Sequence, residues 1–197
     1  MSTPKNPVLL VHGIGDTQRV FDPMAAYLRD RGWTVHALDL VPNNGSPGLD
    51  ILAEQVQHYS QHHLAGVAKL DLIGFSMGGL VSRYYVQRLG GAARVQRFIT
   101  ISTPHNGTWL AHFRPTRGIR QMRPNSPFLQ DLNKTVAQDL AAIAFTSLWT
   151  PYDLMILPAR SSQLGLGQDI QIPAWTHPLM LRDRRSLQAI AGCLQQG

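Results

Sequence analysis

The chain is 197 residues long, 44% apolar and 15% charged, which suits a single globular domain whose core needs neither disulfides nor a structural metal. Its one cysteine, Cys193, excludes an internal disulfide and a cysteine-rich metal site, and no run approaches the roughly 18 apolar residues of a membrane helix. The formal charge of +6, with Glu54 as the sole glutamate, would suit an anionic partner, but no stacking platform or nucleic-acid motif accompanies it, so nucleic acid is not expected.

The opening stretch MSTPKNPVLLVHG holds one lysine and only a short apolar run, too little for a secretory leader, so the expected location is cytoplasmic. Residues 8–11 predict a buried strand followed by a glycine-rich turn. Asp22-Pro23 reads as the N-cap and first position of a helix over 24–31, stopped by Gly32. Residues 33–38 predict a second strand, 43–48 a loop and 49–61 a second helix. The run 70–75 predicts a third strand. The helix expected over 77–89 carries apolar residues at 77, 80, 81, 84, 85 and 89 and closes on Gly90-Gly91. A fourth strand is expected over 95–102, and shorter ones over 142–148 and 170–173. The final helix, over 184–195, has Leu187, Ile190, Ala191 and Leu194 on one face.

Between these elements, residues 103–135 read as irregular, rich in Pro and Arg, and as a candidate short lid. Arg114, Arg117, Arg120 and Arg123 fall there, with Pro115 and Gly118 interrupting any clean helix. A solvated basic loop is the plain reading; peripheral contact with an anionic membrane surface is the functional one. No internal repeat or linker divides the chain, so residues 1–197 are expected to form one domain.

Strands apolar on both faces, alternating with amphipathic helices, predict an α/β fold of about six mostly parallel strands with helices on both sides. Ligands of such sheets bind beyond the carboxyl ends of the strands, and Ser76 stands at one of those ends. The segment Gly74-Phe75-Ser76-Met77-Gly78 fits the Gly-x-Ser-x-Gly turn, in which a sharp strand-to-helix bend pushes a serine Oγ clear of the sheet. The helix that follows points its free N–H groups at the place where negative charge would develop on an attacked carbonyl. The pentapeptide alone recurs by accident; its position between a predicted strand and a predicted helix is what makes Ser76 a candidate nucleophile.

Such a serine needs a base, and the base an acid, in the chain order Ser, Asp or Glu, His. Among the eight histidines only His177 follows the last predicted strand and precedes the last helix, so it is the candidate base. Asp153 lies just beyond the strand after the irregular segment and is the candidate acid, ahead of Asp139 and Asp169. Two backbone donors are needed for an oxyanion: the N–H of Met77, after the nucleophile, and that of Ile14, in the turn after the first strand. His12 is expected to brace that turn. His105 precedes the candidate acid and is expected to orient its own loop or line the pocket. Phe21, Trp109, Leu110, Phe113 and Met155 could receive an acyl chain, with core packing as the alternative for each.

VHGIGD, GFSMGG, STPHNGT and MRPNSPFLQDLN, with Asp153 followed by His177, resemble bacterial lipases and esterases of the α/β-hydrolase superfamily, above all the small lidless lipases of Bacillus type. The resemblance implies a compact α/β-hydrolase fold and carboxylic-ester hydrolysis without cofactor or metal. It implies an acyl-enzyme on Ser76, with Asp153 and His177 completing a triad, acting on acyl esters such as glycerolipids; a monomer is expected. A thioesterase or acyltransferase with the same triad is the neighbouring possibility. A non-catalytic ligand-binding domain is the one from another class. Asp16 stands where the lidless lipases carry a small residue, which predicts a narrower or more polar entrance.

Overall fold

The computed structural model describes residues 5–196; the first four residues, part of the stretch read as too short for a leader, lie outside them. Six strands, β1 (Val8–Val11), β2 (Val35–Leu38), β3 (Leu70–Phe75), β4 (Val95–Ile101), β5 (Ala144–Trp149) and β6 (Gln168–Gln171), form one sheet in the order β2-β1-β3-β4-β5-β6. Every pairing is parallel. This is the expected architecture, with all strands running one way.

Alternation along the strands builds two cores. Leu9, Val11, Leu70 and Leu72 face a cluster under α2 (Leu49–His63) and α3 (Met77–Arg88). Val8, Leu10, Ile73 and Phe75 face the opposite cluster, under α1 (Asp22–Arg29) and α7 (Arg184–Cys193). Because each inner strand is buried on both faces, its sequence reads as an unbroken apolar run, as β3 does. Cys193 is buried in the second cluster, as expected of a core residue.

The strand order also places the site. From β1 the chain crosses to β2 on one side and then to β3 on the other, so the loops leaving β1 and β3 diverge and open a crevice between them. Ile14 and Ser76 stand on those two loops.

Several boundaries differ from the expectations. A 3₁₀ turn over Gln18–Phe21 runs straight into α1, so Phe21 is the capping position and Asp22-Pro23 already lies inside the first turn. The last strand starts two residues early: β6 is an edge strand whose side chains are mostly exposed, so apolarity is a poor guide to it, and Asp169 lies within it. The segment 103–135 is not irregular. It holds a 3₁₀ turn (Trp109–His112), α4 (Arg117–Gln121) and α5 (Pro127–Lys134), followed by α6 (Val136–Asp139). These helices are short, interrupted by Pro115 and Pro124, and too brief for a helical period to stand out. Among the described residues no helix is long and apolar enough to cross a membrane.

Candidate active site

Ser76 sits between β3 and α3 with φ 52° and ψ −123°, a conformation that non-glycine residues rarely adopt and that costs of order 1–3 kcal/mol. The strain is held from both sides, by the Ser76 N–H bonded to the Ile101 carbonyl (2.9 Å) and by the Gly79 N–H bonded to the Ser76 carbonyl (3.1 Å). The flanking glycines are steric requirements. A Cβ on Gly74 would stand 2.5 Å from the Gly79 Cα, and one on Gly78 would stand 2.3 Å from the carbonyl oxygens of Val11 and His12. Only 8% of Ser76 is exposed, so its hydroxyl is reached through a cavity rather than from open solvent.

Asp153 and His177 come from loops beyond β5 and β6 and meet there. His177 Nδ1 lies 2.7 Å from Asp153 Oδ2, while Asp153 Oδ1 accepts the N–H groups of Met155 (2.9 Å) and Ile156 (3.0 Å). Both carboxylate oxygens are therefore engaged, and the residue is almost wholly buried. Thr150 ties the two loops together: its hydroxyl donates to the Ala174 carbonyl at 2.6 Å and accepts the Tyr152 N–H. Phe75 packs its ring 4.7 Å from that of His177, tilted by 40°. With Nδ1 turned to the carboxylate, Nε2 is the nitrogen left for a substrate-side partner.

The turn after β1 is braced as expected. His12 is fully buried; its Nε2 accepts the Leu40 N–H (2.9 Å), so the ring proton sits on Nδ1 and bonds the Gly13 carbonyl (2.8 Å). The carboxylate of Asp16 lies against Gly13. Burial pushes its pKa up from the ordinary value, and the nearby His12 and His177 and the Gly13 backbone oppose that rise. Asp16 also lines the cavity that holds Ser76 and His177, so the entrance is polar.

Two cavities meet at Ile14, Ser76 and Met155. One, of about 300 Å³, is walled by Leu110, Ala111, Phe113, Ile119, Met122 and Ile156. The other, of about 490 Å³, carries Asp16, Arg19, His177 and Arg182 among apolar neighbours. Leu110, Phe113 and Met155 are thus at the site. Phe21 is not: it is 1% exposed in the core beneath α1, because its 3₁₀ turn rolls it inward. Trp109 stays outside both cavities, 60% exposed and stacked on His112. Ile119, Met122 and Ile156 were not anticipated; the first two stand three apart at the end of α4, a helical spacing obscured by the arginines around them.

The basic run also divides. Arg117 pairs with Asp50 at 2.6 Å, and Arg123 donates to the Ala111 carbonyl at 3.0 Å, which braces the cavity wall. Arg114 lines the apolar cavity, and Arg120 lies on a separate hollow beside Phe128.

His105 belongs to a different structure. It is fully buried, with Nε2 2.9 Å from the Thr100 hydroxyl and Nδ1 3.4 Å from the guanidinium of Arg83. Burial, and then the Arg83 charge, hold its pKa well below the ordinary histidine value. Arg83 is itself buried and donates to Gln87 (3.1 Å) and Asn133 (2.9 Å); burial lowers its pKa to about 9, which still leaves it charged at neutral pH. This network fastens the 103–107 loop and α5 to α3 and supplies no group to the cavities.

Comparison with known proteins agrees with this architecture. The family model described as palmitoyl protein thioesterase matches residues 7–112, a span that includes Ser76 and ends before Asp153 and His177. A triacylglycerol lipase of Pseudarthrobacter phenanthrenivorans is 33% identical over 115 residues, covering 54% of this chain and 35% of the lipase. The human lysosomal thioesterase PPT2 is 33% identical over 109 residues, covering 52% of this chain and 35% of that enzyme. The matched part of this chain thus spans about a third of the length of these curated relatives. Among solved structures, the mature Bacillus licheniformis lipase BlEst2 superposes with a TM-score of 0.79 at 16% identity, over 98% of this chain and 93% of its own, which establishes the α/β-hydrolase fold.

Proposed function

The chain belongs to the palmitoyl protein thioesterase family, and on that premise we propose that it hydrolyses acyl esters or thioesters through an acyl-enzyme on Ser76. The observation that carries the reading is the strained Ser76 opening into the same cavity as His177, whose far nitrogen is engaged by a buried Asp153. His177 Nε2 takes the Ser76 proton as Oγ attacks the carbonyl carbon, and Asp153 keeps the ring in the tautomer that can do so. The oxyanion is received by the N–H groups of Ile14 and Met77, the second at the amino end of α3. The proton passes from His177 to the departing alkoxide or thiolate. Water, activated by the same histidine, then releases the acid.

The acyl chain takes the cavity walled by Leu110, Ile119, Met122 and Ile156, since burying methylenes there is worth about 0.8 kcal/mol each. Glycerolipid esters are one substrate class this accommodates. Thioesters are the other, favoured by the thioesterase family model and the PPT2 relative. Arg114, beside the exposed Phe113 at the rim of the apolar cavity, and Arg120 on its separate hollow suit peripheral contact with an anionic membrane surface.

The test is hydrolysis of 4-nitrophenyl esters from acetyl to palmitoyl, and of the matching thioesters, by wild type and Ser76→Ala, with fluorophosphonate labelling of both. Turnover and labelling lost together in the variant support the reading. Labelling absent from the wild type and no turnover of any acyl substrate would leave a ligand-binding domain instead.

A further inference from the structure

The two cavities that meet at Ser76 differ in charge, and the difference bears on what leaves the acyl group. The smaller is apolar apart from the shared Ser76, Thr108 and the rim residue Arg114. The larger is lined by two exposed arginines, Arg19 on the 3₁₀ turn after β1 and Arg182 directly after the turn that follows His177. Among the described residues neither has a side-chain hydrogen bond or an ion pair. Arg185 is neutralised by Asp183 and Arg117 by Asp50, whereas Arg19 and Arg182 stand apart from the other unpaired arginines in lining the cavity that holds His177. Asp16, the carboxylate of the same cavity, lies against Gly13 and interacts with His12 and His177.

We propose that Arg19 and Arg182 form a subsite for a phosphate group carried by the alcohol or thiol that departs from the acyl group. The inference rests on the serine-hydrolase reading for its orientation: with the acyl chain in the apolar cavity, the leaving group occupies the other, on the His177 side, where its proton must come from. Guanidinium groups present paired N–H donors that match phosphate oxygens, and two unpaired ones in a single cavity form a complementary site for a phosphate ester. Neutral acylglycerols and simple alkyl esters lack that group. A phosphoglyceride head and a phosphorylated carrier thiol such as coenzyme A share it.

The experiment compares two matched pairs: decanoyl-coenzyme A against decanoyl-N-acetylcysteamine, and 1-decanoylglycerol 3-phosphate against 1-decanoylglycerol. The readout is the ratio of kcat/KM for the phosphate-bearing member to that for the neutral one, in wild type, Arg19→Ala/Arg182→Ala and Arg19→Lys/Arg182→Lys. The subsite predicts a wild-type ratio above one in at least one pair, a fall of about tenfold or more in the alanine variant and substantial recovery with lysine. The ratio should also shrink as salt rises, because exposed charges are screened. The pair that responds identifies the source of the phosphate. A wild-type ratio of one or less in both pairs, or a ratio that the alanine variant leaves in place, overturns the subsite while the hydrolase stands. If no acyl substrate turns over, the hydrolase reading fails separately, and calorimetry with coenzyme A and glycerol 3-phosphate decides the subsite. Binding weakened about tenfold in the alanine variant supports it, and no binding to the wild type overturns it.

Discussion

Two buried histidines in this molecule sit in opposite electrostatic settings. His177 turns Nδ1 to the carboxylate of Asp153 at 2.7 Å, whereas His105 turns Nδ1 to the guanidinium of Arg83 at 3.4 Å and Nε2 to a hydroxyl. A carboxylate beside an imidazole favours the protonated ring, and a guanidinium opposes it. Burial and the Arg83 charge hold the second ring neutral, whereas the first leaves Nε2 on the cavity side, away from the carboxylate. Loop position does not separate them, since both follow strand ends on the same side of the sheet. The partner residue does.

The sharpest way to break that comparison is to remove members of each set. Ser76→Ala and His177→Ala should each lower kcat by about 10⁴-fold or more, and Asp153→Asn by about 10³-fold or more, with the Ser76→Ala/His177→Ala double variant no worse than the poorer single one. Non-additivity is expected because the proposed mechanism puts the three groups in one proton path. His105→Gln, which offers a donor to Thr100 and an acceptor to Arg83, should keep activity within about tenfold. A loss in His105→Gln as deep as in His177→Ala would erase the distinction.

The next effect is on stability and belongs to the other set. Arg83 is buried without a directly bonded carboxylate, yet it serves acceptors on Gln87, Asn133 and His105. Two opposing costs decide the outcome of Arg83→Met: the desolvation of the charge, which the variant relieves, and the acceptors it strands. Of these acceptors only His105 is fully buried; stranding it costs about 1–3 kcal/mol while the partly exposed Gln87 and Asn133 can turn to water, so a net loss of about 1–2 kcal/mol is expected in urea unfolding. Unchanged or higher stability would show that desolvation outweighs the network.

A smaller effect tests why His105 is neutral. Its folded pKa lies below the ordinary 6.5, so between those values the unfolded chain binds more protons, and falling pH favours unfolding. Above pH 6.5 the penalty is absent; below it, stability should fall by about 1.4 kcal/mol per pH unit more steeply in wild type than in His105→Gln. His36, also depressed, contributes equally to both proteins and cancels in the difference. Parallel pH curves would mean that the buried ring titrates as freely in the folded protein as in the unfolded one.

These two networks were not equally legible in the sequence. Ser76, Asp153 and His177 could be picked out as candidates because the strained turn demands small residues at Gly74 and Gly78, and because the order of strands restricts where an acid and a base can enter. Arg83 left no such trace, since its partners Asn133 and His105 lie 50 and 22 residues away and a lone arginine in a helix reads as a surface residue. Apolar rim and apolar core were likewise indistinguishable by composition. Phe21 is 1% exposed and Phe113 is 81%, yet both looked equally suited to an acyl chain. The four clustered arginines read as one basic patch, although contacts made far along the chain give Arg117 and Arg123 separate duties. What local backbone chemistry dictates was readable; what distant packing decides was not.

Asp16 gives the smallest and most diagnostic of the expected effects. Its carboxylate is half-buried at the mouth of the cavity, and burial raises its folded pKa above 3.8. The folded state therefore holds more protons than the unfolded one between 3.8 and that raised value, and stability contributed by this residue declines as pH rises through the window. At neutral pH the charged carboxylate is a net cost to folding, although water screening at a half-exposed site keeps that cost to under about 1 kcal/mol. Asp16→Asn keeps an acceptor for the Gly13 backbone and removes the charge. It should raise the unfolding midpoint at pH 7 by about 1–3 °C, and the gain should shrink as the pH falls toward 4. A gain that persisted unchanged at low pH would come from packing, whereas one that vanished there would assign it to the charge that Asp16 carries beside His177.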